Sequence, residues 1–155
     1  MLLMAVSECF CYSGGGLSSC FYVCMYDPFK KIVANVHSGW RGSINNIVGC
    51  TVEAMKGNFG TKPSDIIAGI SPSLGSCCAE FLNYENEMPE TYWKYKTGDY
   101  YFDFWKMTCD LPYASGVSGK NIFLSNMRAR CNTDLFCSFR KERVTGRFAV
   151  FICLV

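Results

Sequence analysis

The chain has 155 residues, of which 50% are hydrophobic and 18% are charged, a balance typical of a globular domain with its own core. Its net charge of +2 and its scattered basic residues form no basic stripe, which argues against a nucleic-acid partner. No apolar window approaches the roughly 20 residues of a membrane span, and the short apolar start is not a signal peptide. We therefore predict a cytoplasmic protein with no membrane partner.

Eleven cysteines and a single histidine, His37, are the unusual counts. The cysteine number is odd and no regular spacing suggests a disulfide framework, so reduced thiols are expected. No Cys-x-x-Cys pair occurs, which argues against a structural zinc ribbon. Most of the cysteines are predicted to pack as small buried hydrophobes.

The chain opens with a segment of weak pattern, residues 1–17, which includes three consecutive glycines and is predicted to be an irregular N-terminal remnant. Residues 18–155 are predicted to form one domain. Within it, residues 20–26 and 31–37 predict two strands joined by a turn at residues 27–30, which together make a hairpin.

Helices and further strands are predicted to alternate irregularly after this hairpin. Ser43 is a plausible cap for a helix that ends at Gly60, and Asp103 for one that ends near Tyr113. A short helix is expected within residues 80–100. Strands are predicted at residues 66–70, 100–104, 121–124, 136–140 and 147–155. The fold class is therefore a mixed α/β domain of the α+β type.

The hairpin predicts a pair of chemically active side chains. If the turn is centred between Pro28 and Phe29, Cys20 lies directly opposite His37 on the same face. A thiol beside an imidazole suits zinc binding or a cysteine nucleophile with a histidine base. A buried cysteine beside a purely structural histidine is the third interpretation, and a register shift by one residue would separate the pair.

The loop that follows His37 is suited to an anion. Gly39 and Gly42 allow close approach of the backbone, and the loop leads into a helix N-terminus, which favours phosphate. Arg41 adds a planar, bidentate phosphate donor. An ordinary turn with a solvated arginine is the alternative interpretation.

Several segments resemble the laccase-domain polyphenol oxidoreductase family, whose members are regarded as purine nucleoside phosphorylases. The matching segments are Tyr26-Asp27-Pro28, residues 36–42 (VHSGWRG), residues 71–78 (SPSLGSCC), residues 103–106 (DFWK), and a closing group of Cys131, Phe136, Ser138, Phe139, Arg140 and residues 145–147 (TGR). The resemblance covers about residues 20–155. It implies a single-domain sandwich of mixed β-sheets and helices.

The resemblance also implies a metal. The family's metal is held by two histidines and one cysteine; Cys20 matches the cysteine and His37 the second histidine. The first histidine of the pattern has no counterpart in this sequence, so we expect a chain that is N-terminally truncated relative to the family and lacks a third ligand. Zinc is the expected cofactor, because one histidine cannot build a cluster of several coppers.

The activity implied is phosphorolysis of adenosine, inosine and related nucleosides to ribose 1-phosphate and free base, with deamination of adenosine in some members. Cys20, His37 and Arg41 would be catalytic. Gly39, Arg41, Ser138, Arg140 and Arg147 would bind substrate or phosphate. Partners would be purine nucleosides, phosphate and further copies of the chain. Two alternatives stay open: a metal-free thiol hydrolase with Cys20 as nucleophile, and an inactive fragment that only self-associates.

Overall fold

One five-stranded mixed sheet organises the molecule. The computed structural model describes residues 2–6, 21–142, 144, 146 and 150–154. The strands are β1 (Leu2–Val6), β2 (Phe21–Asp27), β3 (Ile32–Ser38), β4 (Ile67–Ile70) and β5 (Ile122–Leu124), in the spatial order β1-β3-β2-β4-β5. Strand β1 pairs in parallel with β3, and β4 with β5, whereas β2 is antiparallel to both of its neighbours. The carboxyl ends of β1, β3, β4 and β5 therefore lie at one edge of the sheet, together with the start of β2.

Within the described residues, five α-helices accompany the sheet. They are α1 (Trp40–Ile44), α2 (Ile47–Phe59), α3 (Tyr84–Glu87), α4 (Phe104–Ala114) and α5 (Phe139–Glu142), with 3₁₀ turns at Pro63–Asp65, Glu90–Tyr95 and Gly119–Asn121. The predicted α+β fold class is confirmed. Among the helices of the described residues, none is long and apolar enough to cross a membrane.

The two faces of the sheet differ in burial. One face carries apolar side chains that are all buried beneath α1, α2 and α4: Phe21, Val23, Met25, Ala34, Val36, Ala68 and Ile70. The apolar side chains of α2, including Val48, Val52 and Met55, pack into this core. The opposite face is only partly buried at Tyr22, Cys24 and His37. Side chains alternate along a strand, so His37 is directed away from the main core.

The predicted hairpin exists, but its register is wrong by two residues. Asp27 pairs with Ile32, which leaves a four-residue loop instead of a two-residue turn. The carboxylate Oδ1 of Asp27 accepts hydrogen bonds from the backbone N–H groups of Phe29 (2.9 Å) and Lys30 (3.0 Å). Lys31 has a φ of 53°, so it belongs to the loop and not to β3. The side chain of Asp27 and the left-handed Lys31 thus lengthen the turn.

The predicted helix of residues 43–59 is also corrected, because it consists of two helices. Asn46 has a φ of 52° and its side chain accepts a hydrogen bond from the Gly49 N–H, so Asn46 caps α2. Ser43 lies buried inside α1 and caps nothing. The predicted stop at Gly60 is confirmed by its φ of 67° and by the bond from its N–H to the Lys56 carbonyl. Asp103 caps α4 as predicted, through the Lys106 N–H at 2.9 Å.

Four further predictions were wrong within the described residues. Leu2–Val6, assigned to the irregular segment, forms β1, while residues 7–17 lie outside the described residues. Residues 100–104 make isolated bridges, Glu80 to Tyr101 and Lys96 to Phe102, and no full strand. Residues 136–140, predicted as a strand, lead into α5, and residues 150–154 contain no strand. The side chain of Asn35 bonds the Val150 carbonyl at 2.7 Å, so this final segment crosses the second face of the sheet.

Candidate active site

Several segments that resemble the family lie at one edge of the sheet. Helix α1 follows β3, so residues 40–42 are helical and not a loop as predicted; the loop of residues 71–79 follows β4, and residues 125–131 follow β5. Backbone bonds tie these two loops to the sheet: the Ser71 N–H donates to the Tyr22 carbonyl at 2.9 Å, and the Ser125 N–H to the Ile70 carbonyl at 3.0 Å. The carboxyl edge of a sheet is where ligands bind in many α/β proteins.

His37 lies near the end of β3, directly opposite Tyr22, with 5.0 Å between the ring centroids. Partial burial lowers the pKa of His37 below its ordinary value of 6.5. The ring is therefore neutral near pH 7, which is the form that binds a metal or accepts a proton. The prediction that Cys20 lies directly opposite His37 is wrong, because Tyr22 occupies that position. Cys20 itself lies outside the described residues, and its role as a metal ligand stays a prediction.

Two buried serines support the segment that follows His37. Ser38 and Ser43 are both fully buried, and their Oγ atoms are 2.9 Å apart in a hydrogen bond. The carbonyl of Gly39 accepts from the Ser43 N–H at 2.9 Å and begins α1. A side chain at Gly42 would place its Cβ 3.3 Å from Ile47, so glycine is favoured there by space. The segment is thus fixed by short-range contacts.

Arg41, in helix α1, is an exposed cation next to this segment. Its guanidinium lies over the Trp40 ring at 4.2 Å, and its Nη2 forms a 3.3 Å ion pair with the Oε2 of Glu87 on α3. The side chain is 73% exposed, so the pair contributes little to stability. Trp40 packs on Phe81 at 4.8 Å between ring centroids, which gives the guanidinium a firm platform. The sequence alone did not indicate Glu87, because its closeness to Arg41 depends on the tertiary fold.

The double-cysteine loop contains a second concentration of reactive groups. Cys78 is buried and Cys77 is exposed. Cys78 is the only buried one among the described cysteines, so the prediction that most cysteines pack as buried hydrophobes is wrong for that part of the chain. Cys131, from the loop after β5, brings its sulfur to 3.8 Å from that of Cys77. The sequence showed Cys131 only as part of the closing segment, and the 54 residues between the two gave no spacing signal.

The remaining predicted binding residues lie near the C-terminus. Ser138 is fully buried, and its Oγ has no hydrogen-bond partner within the described part of the chain. Arg140 lies in α5. Arg147 lies outside the described residues. The roles of Ser138, Arg140 and Arg147 stay predictions.

Comparison with known proteins agrees with the resemblance in the sequence. The model of the multi-copper polyphenol oxidoreductase laccase family matches residues 16–155, nearly the whole chain. The chain belongs to this family. The family's name describes copper chemistry, but the curated relatives carry a different activity in their names.

Three bacterial relatives show this. Purine nucleoside phosphorylase YlmD of Geobacillus stearothermophilus is 30% identical over 88% of this chain and 55% of its own length. The purine nucleoside phosphorylase of Bacteroides thetaiotaomicron is 30% identical over 86% of this chain and 52% of its own length. That of Clostridium acetobutylicum, CA_C1699, is 31% identical over 87% and 59% respectively. This family member thus spans little more than half the length of the curated relatives it matches.

Solved structures of relatives share the fold. YfiH from Bacillus licheniformis superposes with a TM-score of 0.72 at 28% identity, covering 83% of this chain and 51% of YfiH. YlmD from Geobacillus stearothermophilus gives a TM-score of 0.69 at 26% identity over 83% of this chain and 51% of YlmD. The arrangement of sheet, helices and edge loops is therefore that of the family.

Proposed function

We propose that the chain takes part in phosphorolysis of purine nucleosides, with adenosine and inosine as substrates and ribose 1-phosphate and the free base as products. The observation that carries the proposal is the convergence of two family-like segments, residues 36–42 and 71–78, with the loop that leads to Cys131, at the carboxyl edge of one sheet. The names of the relatives support the reaction class. In this reaction a phosphate oxygen bonds to the anomeric carbon, the glycosidic C–N bond breaks, and the base leaves with a proton.

Arg41 is the proposed phosphate-binding side chain. It is exposed, it projects from helix α1 just after β3, and it rests on the Trp40 ring. A guanidinium offers two parallel donors to a phosphate, an arrangement that a lysine cannot reproduce. Glu87 holds the guanidinium at 3.3 Å before substrate arrives, so phosphate would have to displace a carboxylate. Gly39 leaves room for the anion to approach the backbone.

Ser138 is a second proposed contact, together with Arg140 and Arg147. A buried hydroxyl without a partner costs about 1–3 kcal/mol, a cost that a bound polar ligand would remove. The Oγ of Ser138 is such a hydroxyl within the described residues. Arg140 follows it closely in the chain and would supply positive charge for phosphate.

Zinc is the proposed cofactor, held by Cys20 and His37. The fit of His37 rests on its position at the edge of the sheet and on the neutral imidazole that burial favours. The observed register differs from the predicted one by two residues. Because side chains alternate along a strand, the even-numbered residues of β2 still lie on the same face of the sheet as His37. A bound zinc ion supplies a Lewis acid that stabilises developing negative charge. His37 and Cys20 would orient it, and the neighbouring Tyr22 ring would limit the access of water to the imidazole.

The test is an assay of base and ribose 1-phosphate released from inosine and from adenosine by the full chain, with zinc, in the presence and absence of phosphate. Base release that needs phosphate and is matched by ribose 1-phosphate is expected. Ammonia release from adenosine measures deamination in the same samples. Base release without phosphate, or none at all, would contradict the proposal.

Metal dependence is tested with two variants. His37→Ala and Cys20→Ser should both lose the zinc-dependent part of the activity, while Cys50→Ser, at an exposed position on α2, should not. Activity that survives chelation but is abolished by Cys20→Ser would indicate a thiol nucleophile instead of a metal.

A further inference from the structure

Three thiols cluster in two of the segments that meet at this edge of the sheet, but none of them has a proposed role in phosphorolysis. The Sγ atoms of Cys77, Cys78 and Cys131 are all within 4.8 Å of one another. Cys77 and Cys131 are exposed, while Cys78 is buried. The two exposed sulfurs are 3.8 Å apart, well beyond the 2.05 Å or so of a disulfide bond.

The backbone holds the two cysteine-bearing loops side by side. Ser73 forms a parallel bridge with Arg128: its N–H donates to the Met127 carbonyl at 3.2 Å, and its carbonyl accepts from the Ala129 N–H at 3.0 Å. The Ser73 side chain also accepts a bond from the Trp105 indole at 2.8 Å. The approach of the thiols is therefore built by the fold and does not depend on flexible side chains alone.

Tight turns fix the positions of Cys78 and Cys131. The N–H of Cys78 donates to the Gly75 carbonyl, and that of Cys131 to the Arg128 carbonyl, both at 3.0 Å. The Cys78 thiol also donates to the Gly75 carbonyl at 3.3 Å. At Gly75 a Cβ would stand 3.0 Å from the Cγ of Arg128, so glycine lets the two loops approach. The cysteines are thus ordered when the chain folds, so little further conformational entropy is lost when an ion binds.

The spacing of the two exposed sulfurs is that of ligands sharing one ion. Two thiolates at about 2.3 Å from a tetrahedral zinc are roughly 3.8 Å apart. The observed distance between Cys77 and Cys131 is 3.8 Å. Three sulfurs without an oxygen or nitrogen ligand form a soft donor set, which selects zinc or Cu(I) over magnesium or calcium.

A cation would offset the repulsion among three thiolates. Burial, with smaller contributions from Cys77 and Cys131, raises the pKa of Cys78 to about 12, so this thiol keeps its proton until an ion displaces it. Three thiolates within 4.8 Å of one another would repel each other, and a bound divalent ion would supply the counter-charge. Ion binding would displace the thiol protons and release about three protons per ion.

We propose that Cys77, Cys78 and Cys131 form a binding site for one soft cation, with three thiolates as ligands. Zn²⁺ would complete its tetrahedron with a water molecule, because the exposure of Cys77 and Cys131 leaves the fourth position open. The site uses neither Cys20 nor His37, so it stands or fails separately from the proposed phosphorolysis.

The experiment uses the full chain carrying Cys20→Ser and His37→Ala, which removes the other proposed ligands. After reduction and dialysis against zinc chloride, this background should retain about one zinc per chain. Adding Cys131→Ser or Cys77→Ser should weaken zinc binding by at least roughly 10–100-fold. That is the loss commonly caused by removing a residue that only supports a metal ligand. Added Cys50→Ser, at another exposed cysteine, should leave the zinc content unchanged.

Two further readouts exclude indirect effects of the substitutions. Cd²⁺ should give an ultraviolet thiolate-to-metal band in the background that is lost with Cys131→Ser, and zinc should raise its melting temperature only while all three cysteines are present. In a separate anaerobic experiment, Cu(I) is added to the zinc-loaded background, and the amount of zinc displaced shows which of the two ions the site prefers. Equal zinc content in the background and in the Cys131→Ser and Cys77→Ser variants would overturn the proposal. A Cys77 to Cys131 disulfide, with no metal taken up after its reduction, would also overturn it.

Discussion

The rings of Tyr22 and His37 face each other across β2 and β3, with 5.0 Å between their centroids and 48° between their planes. The histidine thus has an aromatic neighbour on its own face of the sheet. Because this contact shields the imidazole from water, the charged form of His37 is disfavoured, and its pKa is lowered by burial.

This lowered pKa predicts a loss of stability in acid. The unfolded chain binds a proton at His37 near pH 6.5, whereas the folded, metal-free chain binds it only at lower pH. Stability is therefore fully present above pH 6.5 and declines as the pH falls through the folded pKa. Urea unfolding of chelator-treated protein between pH 7.5 and 5 should show a decline that His37→Gln reduces. His37 is the only histidine, so an unchanged decline would mean that it is not shielded in the folded state.

Arg41 predicts a selective loss of phosphate affinity. Arg41→Ala should raise the KM for phosphate roughly ten- to a hundredfold, as expected from the loss of about 1.5–3 kcal/mol of charged hydrogen bonding, with a smaller change in the KM for the nucleoside. Arg41→Lys should recover only part of the affinity, because it lacks the planar fork. Initial rates at varied phosphate measure both. Equal effects on the two KM values would argue against a phosphate contact.

Glu87 predicts the opposite change. Because its carboxylate occupies the guanidinium at 3.3 Å, Glu87→Gln should lower the KM for phosphate by up to about fivefold. The matched control is Glu53→Gln, which breaks the exposed 3.4 Å pair with Lys56 in α2. Both variants should leave the free energy of unfolding within about 1 kcal/mol of the parent. A KM that rises in Glu87→Gln would show that the carboxylate positions Arg41 instead of competing for it.

Local patterns predicted most elements but not the ways in which they are joined. The apolar period placed β2, β3, β4 and α2, and Asp103 and Gly60 marked helix ends correctly. The register of the hairpin was missed because Lys31 takes a positive φ, which is uncommon for a residue with a side chain. Asn46 interrupts the expected helix for a similar reason, since it takes a left-handed conformation.

Contacts between distant segments were beyond the reach of sequence patterns. Glu87 reaches Arg41, and Cys131 reaches Cys77, only because separate loops meet at the same edge of the sheet. The family resemblance nevertheless included both Cys77 and Cys131 among the matching residues. It could not assign Cys131 to a cluster of thiols, because the pairing of Ser73 with Arg128 that creates the cluster has no local signal.

The four-residue hairpin loop predicts a specific role for Asp27. Its buried carboxylate accepts two backbone hydrogen bonds, and Asp27→Ala removes the acceptor of both. The substitution should therefore lower the free energy of unfolding by about 1–3 kcal/mol. Asp27→Asn keeps an oxygen acceptor and should cost less. Urea unfolding at pH 7.5 compares the three proteins. A similar loss in both variants would show that the charge, and not the turn geometry, is what the loop requires.

The buried pair Ser38 and Ser43 predicts coupling beneath the candidate phosphate-binding segment. Ser43→Ala leaves the Ser38 hydroxyl buried without its 2.9 Å partner, at a cost of about 1–3 kcal/mol. Removing both hydroxyls leaves no orphan, so Ser38→Ala combined with Ser43→Ala should cost less than the sum of the single changes by about 0.5–3 kcal/mol. A double-mutant cycle from urea unfolding measures this coupling. Strict additivity would mean that the hydroxyls do not depend on each other, and that the segment carrying Gly39 and Arg41 is held by its packing alone.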